Sequence, residues 1–324
     1  MALRPLVALL AVQLLIGAAL VVWGLNGFPL PGQGEPAAAE GRDTARAVKV
    51  DRFDAARALR FARLQVEQIG PRPAGSPASA RLAALLRDRL PRGRFESIPG
   101  HPGLRNVVGR IPGRSPAVLV GAHFDTEARP RGHVGANDGA AGTAAVLELA
   151  RALKRRATSP EVPGSGERRR SPPPREVRFV LFDGEEEPAG CEPFVACGLR
   201  GSTGYARRHA AEVGDMVLLD YIAERRGLRF EREANSDPGL WAQLRAAARR
   251  VGTTRWFPAR DAGVTIIDDH VPFVERGVPA IDLIDFDYPQ RDSLDDDMSA
   301  ISARSLDVTG ETVMELVLGL RRQR

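Results

Sequence analysis

The stretch Leu181–Glu187 reads Leu-Phe-Asp-Gly-Glu-Glu-Glu and follows Val177-Arg178-Phe179-Val180, a run with the composition of a buried strand. Adjacent carboxylates at the end of a buried strand are costly unless a cation sits opposite. Neighbouring side chains on an extended or turning backbone point in different directions. Glu185 and Glu186 can therefore do different work, one binding a metal ion and the other handling a proton. The remaining ligands must come from elsewhere in the chain.

Other apolar runs end the same way. Ala117–Ala122 delivers His123 and Asp125, Met216–Leu219 delivers Asp220, and Val278–Ile281 delivers Asp282. Continuous apolar runs of this length are typical of parallel strands buried on both faces. Helical spacing over Asp51–Ile69, Ala80–Leu90, Ala140–Leu153, Ser202–Ala211, Asp237–Val251 and Leu306–Leu320 alternates with these strands and with Asn106–Ile111. The alternation predicts an α/β domain: a mostly parallel, mixed central sheet flanked by helices in a three-layer sandwich. Ligands of open α/β sheets bind beyond the carboxyl ends of the strands, so the strand-end acids fall in one region. Asp138 stands before the Ala140–Leu153 helix, where a carboxylate favours the N-terminal end of the dipole.

A cluster of His, Asp and Glu fits zinc, which accepts nitrogen and carboxylate oxygen in open catalytic sites. Magnesium favours fewer protein ligands and phosphate partners, and no phosphate-binding loop is evident. The Asp295-Asp296-Asp297 run reads as a solvated acidic patch, and His270 as structural.

Pro5–Leu25 is apolar except for Gln13 and is preceded by Arg4. Roughly 20 apolar residues suffice to span a membrane, and the leading positive charge argues for a cytoplasmic N-terminus with the remainder exported. Residues 1–27 are expected to be an uncleaved single-pass anchor; a cleaved signal is the alternative, which would make the protein secreted. Residues 28–50 read as a linker and 51–324 as the catalytic domain, with a disordered loop at about 155–175. Export makes a disulfide between Cys191 and Cys197 possible; free thiols and a metal role are the alternatives. The chain carries a formal charge of +5, nearly all from Arg, with Lys at 49 and 154. These arginines are scattered and aromatics make up only 6% of residues, against a nucleic-acid partner. A monomer is expected.

The motifs Gly-Ala-His-Phe-Asp-Thr (121–126), Gly-Ala-Asn-Asp-Gly-Ala-Ala-Gly (135–142), Phe-Asp-Gly-Glu-Glu (182–186), Leu-Leu-Asp (218–220) and Asp-Asp-His-Val-Pro-Phe (268–273) occur in order. As a set this resembles the family of zinc aminopeptidases and glutaminyl-peptide cyclotransferases, from about Phe53 onward, with Gly70–Ser76 similar to its entry motif. The resemblance implies that Asp138 and Glu186 bind the main zinc, and that His123 and Asp220 hold a second ion with Asp138 bridging. It implies one or two zinc ions, peptide N-termini as substrates, Glu185 as the proton shuttle, and Asp268 and Asp220 as hydrogen-bonding carboxylates of the cyclotransferase pocket. Asp-Asp-His followed by Gly-Val-Pro-Ala-Ile looks more like the cyclotransferase branch than the aminopeptidases. Where the family has Trp-His-Thr, this chain has Arg291-Asp292-Ser293, so Asp292 stands as a candidate ligand in place of histidine. The readings this leaves are a cyclotransferase, an exported aminopeptidase, and a catalytically impaired peptide-binding member.

Overall fold

The computed structural model describes residues 48–158, 173–191 and 193–323. The expected anchor, most of the linker and the centre of the expected loop lie outside the described residues. Among the described residues no helix is long and apolar enough to cross a membrane.

Helices α1 (Ala55–Arg63) and α2 (Pro77–Arg89) come first. Asp54 caps α1, its side chain accepting from Arg57 N–H at 2.8 Å, and the helix runs into a widened π turn, Leu64–Ile69. Strands β1 (Arg94–Ser97), β2 (Arg105–Ile111) and β3 (Arg114–His123) follow, then a second π turn, Ala136–Ala141, and α3 (Gly142–Thr158). Beyond them lie β4 (Arg175–Phe182), α4 (Arg200–His209), β5 (Val213–Asp220), α5 (Pro238–Val251), β6 (Ala280–Ile284) and α6 (Ala303–Arg322).

The described strands form one sheet in the order β1-β2-β4-β3-β5-β6. Strands β4, β3, β5 and β6 are parallel neighbours, while β2 runs antiparallel to both β1 and β4. Alternation along each strand divides the core. Val118, Val120, Ala122, Val177, Phe179 and Leu181 pack on the side of α1, α2, α3, α5 and α6. Leu119, Val180, Phe182 and Leu218 pack on the other side, against Tyr205 of α4 and Phe273. Both faces are covered, so the strands read as unbroken apolar runs, and the expected three-layer mixed sandwich is the architecture found. The parallel register sets His123 beside Phe182 and Asp220 beside Ile284, which brings the strand ends to a common edge. Gly142 lets α3 approach that edge: a Cβ there would lie 2.3 Å from the Leu219 carbonyl oxygen.

Several boundaries differ from the sequence reading. The domain begins by Val48, which is buried, and Lys49 N–H donates to Val251 O at 2.9 Å. Helix α3 continues to Thr158 and β4 opens at Arg175, which trims the expected loop at both ends. Strand β1 carries Arg and Glu among its four residues and had no apolar signature. Asp282 does not end a strand; it sits buried in the middle of β6.

At the end of β6, Asp285 accepts from Arg229 N–H at 3.1 Å. Burial, with the Glu224 carboxyl beside it, pushes its pKa up to about 8. An unfolded Asp titrates near about 3.9, so the folded protein holds a proton there that the unfolded chain has lost. This contribution is present at low pH and disappears as pH rises through that interval. Asp285→Asn is expected to flatten the fall in thermal midpoint between about pH 5 and 8 relative to the wild type; parallel curves would contradict it.

Candidate metal centre

Three strand ends and one turn supply the centre. His123 closes β3, Asp220 closes β5, and Glu185 and Glu186 follow β4. Asp138 comes from the π turn before α3. The sequence sets its carboxylate at the N-terminal end of the α3 dipole, but α3 starts only at Gly142, and Asp138 and Gly139 between have non-helical dihedrals. Its carboxylate instead turns to the imidazole. His123 Nε2 lies 3.0 Å from Asp138 Oδ1 and 3.5 Å from Asp220 Oδ1. Donor atoms of His123, Asp138 and Asp220 lie within 4.8 Å of one another, as do those of His123, Glu185 and Glu186.

Backbone contacts hold these groups in place. Asp125 Oδ1 and Oδ2 accept from Glu185 N–H and Glu186 N–H, each at 3.2 Å. This fixes the turn that presents both glutamates, and Asp125 lies 3.8 Å from His123 Nδ1. Asp296 does the same for the π turn, accepting from Asn137 N–H at 2.9 Å and Asp138 N–H at 3.0 Å. Arg72 is fully buried and donates to the carbonyls of Phe124 at 2.8 Å, Val134 at 2.6 Å and Gly135 at 3.1 Å. One guanidinium thus ties the segment after β3 to the turn carrying Asp138.

The electrostatics are those of too many acids for the cations present. Burial pushes Glu185 well above the carboxylate range, with Asp268 and Asp269 adding to it. Glu186 is raised likewise, by burial and then by Asp138 and Glu185. Burial lifts Asp220 to about 7. Burial opposes charge on His123, but Asp125, Asp138 and Asp220 outweigh it and hold the imidazole well above its usual value. Burial likewise opposes the charge on Asp138, yet its bond to His123 leaves that carboxylate below its usual range.

This donor set fits a zinc ion. It mixes imidazole nitrogen with carboxylate oxygen, and the ring nitrogen that faces Asp138 and Asp220 is His123 Nε2. Two donors each about 2.0–2.2 Å from a tetrahedral zinc stand about 3.3–3.6 Å apart, close to the separations found.

Asp292 belongs to neither grouping. Its backbone is left-handed (φ 56°), its side chain is 53% exposed, and its Oδ2 lies 3.2 Å from Arg291 Nε. The Tyr221 hydroxyl sits 3.2 Å from both Asp292 Oδ1 and Asp138 Oδ2. Asp268 is buried beside the centre; its Oδ1 accepts from Asp269 N–H at 2.5 Å and its Oδ2 has no partner. His270 lies apart, with Nε2 3.3 Å from Glu233 Oε1. Cys191 and Cys197 are bonded, with Cα atoms 6.0 Å apart, which excludes the free-thiol and metal readings.

Sequence reasoning missed Arg72, Tyr221 and Asp296. Asp296 was hidden in an acidic run that looked solvated, yet it is fully buried, and the Tyr288 hydroxyl donates to it at 2.7 Å. Arg72 lay within the Gly70–Ser76 motif, and Tyr221 directly follows Asp220.

A cleft of about 310 Å³ opens over the centre. Glu185, Glu186, Asp138 and Asp220 line it together with Ile267, Phe286 and Arg291.

Residues 106–317 match the profile of peptidase family M28. Glutaminyl-peptide cyclotransferase of Bos taurus is 27% identical over 252 residues, 68% of this chain and 67% of that protein. Aminopeptidase YwaD of Bacillus subtilis is 27% identical over 214 residues, 62% of this chain and 40% of that protein. The crystal structure of glutaminyl cyclase from an Acidobacteriales bacterium superposes with a TM-score of 0.71 at 25% identity, covering 91% of this chain and 99% of that one.

Arg72→Met leaves the carbonyls that Arg72 serves, and the nearby acids, without their cation. Such a change at a buried charge is expected to cost about 3–5 kcal/mol. Denaturant unfolding checks it; a loss below about 1 kcal/mol would show that the turn is held by other contacts.

Proposed function

The chain belongs to peptidase family M28, and from that premise we propose that it is a zinc-dependent glutaminyl-peptide cyclotransferase. The observation that carries this reading is the position of Glu185. It is buried at the cleft with its backbone locked by Asp125, next to the metal-binding residues and beside Asp268. The similarity to cyclotransferases in sequence and along nearly the full length of a solved cyclase supports it.

Asp138, Glu186, His123 and Asp220 are the residues that would hold zinc. A bound zinc supplies Lewis-acid polarisation of the substrate carbonyl. The acidic lining of the cleft attracts the α-amino group of a peptide N-terminus, which attacks as the neutral amine after its ammonium proton has gone to solvent. In cyclisation the α-nitrogen of an N-terminal Gln forms a bond to its own side-chain amide carbon. Glu185 takes the proton that this nitrogen gives up and returns it to the departing amide nitrogen, which leaves as ammonia. Asp268, next to Glu185, orients it and favours its protonated form on the way. A mobile proton carried by a positioned carboxyl is worth about 10²–10⁴-fold in rate.

One observation favours a second reading. The His123–Asp138–Asp220 grouping offers a place for a further ion, and the similarity to aminopeptidase YwaD points the same way. There Glu185 would accept a proton from water attacking the first peptide bond. Either reading operates outside the cytoplasm: the Cys191–Cys197 bond supports an oxidising compartment.

With zinc present, a Gln-initiated peptide is expected to yield pyroglutamate and ammonia. Glu185→Gln should lower kcat by about 10²–10⁴-fold while zinc content stays the same. Release of a free amino acid instead would establish the peptidase. No product from either substrate class, with zinc bound, would leave a peptide-binding protein.

A further inference from the structure

Arg291 is the one cationic side chain among the described residues that line the cleft. The other charged groups there are carboxylates, including Glu127, Glu187 and Asp268. Its guanidinium carbon lies 4.0 Å from the centroid of the Phe286 ring. Nη1 donates to Phe286 O at 3.0 Å, and Nε lies 3.2 Å from Asp292 Oδ2. A long, flexible side chain is thus fixed at three points, which lowers the entropy lost when it binds a partner. The carboxylate of Asp292 that pairs with it is itself shared with the Tyr221 hydroxyl.

The side chain of Arg291 is one-third exposed, and exposed Phe286 and Ile267 form the apolar rim around it. A substrate closing over this rim would strip water from the guanidinium donors that Phe286 and Asp292 do not use. An apolar group there would leave those donors unpaired, at a cost. A carboxylate would pair with them in a charge-assisted fork. Among the other side chains that line the cleft, the same carboxylate would meet only like charge. At about 310 Å³ the cleft is at the small end of ligand pockets, about 300–1,000 Å³. It suits one or two residues and not an extended chain.

We infer that Arg291 is a specificity residue that selects substrates bearing a carboxylate close to their free N-terminus. The acidic floor takes the ammonium and Arg291 takes the anion. The carboxylate has two possible sources, the C-terminus of a dipeptide or an acidic side chain at the second residue. This inference rests on the cleft being the substrate site of the preceding section.

Calorimetric binding to the zinc-loaded Glu185→Gln protein, which keeps the peptides intact, separates the sources. Gln-Ala is compared with Gln-Ala-amide, and Gln-Glu-amide with Gln-Gln-amide. In at least one pair the carboxylate form is expected to bind about tenfold tighter, and that pair identifies the source. Adding Arg291→Glu should invert the preference, while Arg291→Lys should keep its direction. If Arg291→Glu does not fold, the weakening of the preference by salt and by Arg291→Lys decides the matter. Equal affinities within both pairs, or a preference that survives Arg291→Glu, would overturn the inference. The two readings fail separately. Carboxylate preference in the absence of any wild-type turnover would remove the enzymatic reading alone, and turnover of amide and acid forms alike would remove this one alone.

Discussion

Acidic side chains withdrawn from water at the ends of three parallel strands, with one imidazole among them, set the terms for the rest of the molecule. His123, Asp138, Glu185, Glu186 and Asp220 are all buried. At about 4 Å, two like charges repel by about 4 kcal/mol at an effective dielectric constant of 20. Without a cation, proton uptake relieves both the burial of charge and that repulsion, and the raised affinities of Glu185, Glu186 and Asp220 express burial first and like charge second. A divalent ion relieves it with the carboxylates still ionised. The surrounding structure serves the same arrangement. Asp125 and Asp296 spend their oxygens on backbone N–H groups, so the turns carrying the acids keep their shape. Arg72 places a positive charge behind the cluster where water cannot reach.

Much of this was legible in the sequence because two independent patterns coincide. Strands buried on both faces must be apolar throughout, so His123 and Asp220 stood out as the first polar residues after such runs. The ordered motifs added Asp138 and the Glu185-Glu186 pair. What could not be read had weak or misleading local signals. Strand β1 lies at the edge of the sheet, where short, charged segments are tolerated, and so resembled a loop. Asp296 looked solvated because its neighbours are, and its burial depends on Tyr288 and the π turn, about 160 residues earlier in the chain for the latter. Asp282 was assigned to a strand end because the apolar pattern stopped there, although β6 continues through it as Leu283-Ile284.

Tyr221, Phe286, Arg291 and Asp292 meet at one corner of the cleft. Asp292 is held between the Tyr221 hydroxyl and Arg291, and Arg291 is held against Phe286. Tyr221, itself left-handed at φ 44°, fills the gap between Asp138 and Asp292. That corner is occupied by a hydrogen-bonded ion pair that lines the cleft.

If the buried acids are organised to hold zinc, the metal content of the purified protein will show it. The protein is purified without added metal, analysed for zinc, and melted before and after chelation, alongside Asp138→Asn. At least one zinc per wild-type chain, a clear drop in Tm when it is removed, and little or no zinc in the variant are expected. A wild-type protein that carries no zinc, binds none when it is supplied at neutral pH, and melts at the same temperature with and without chelator would contradict it.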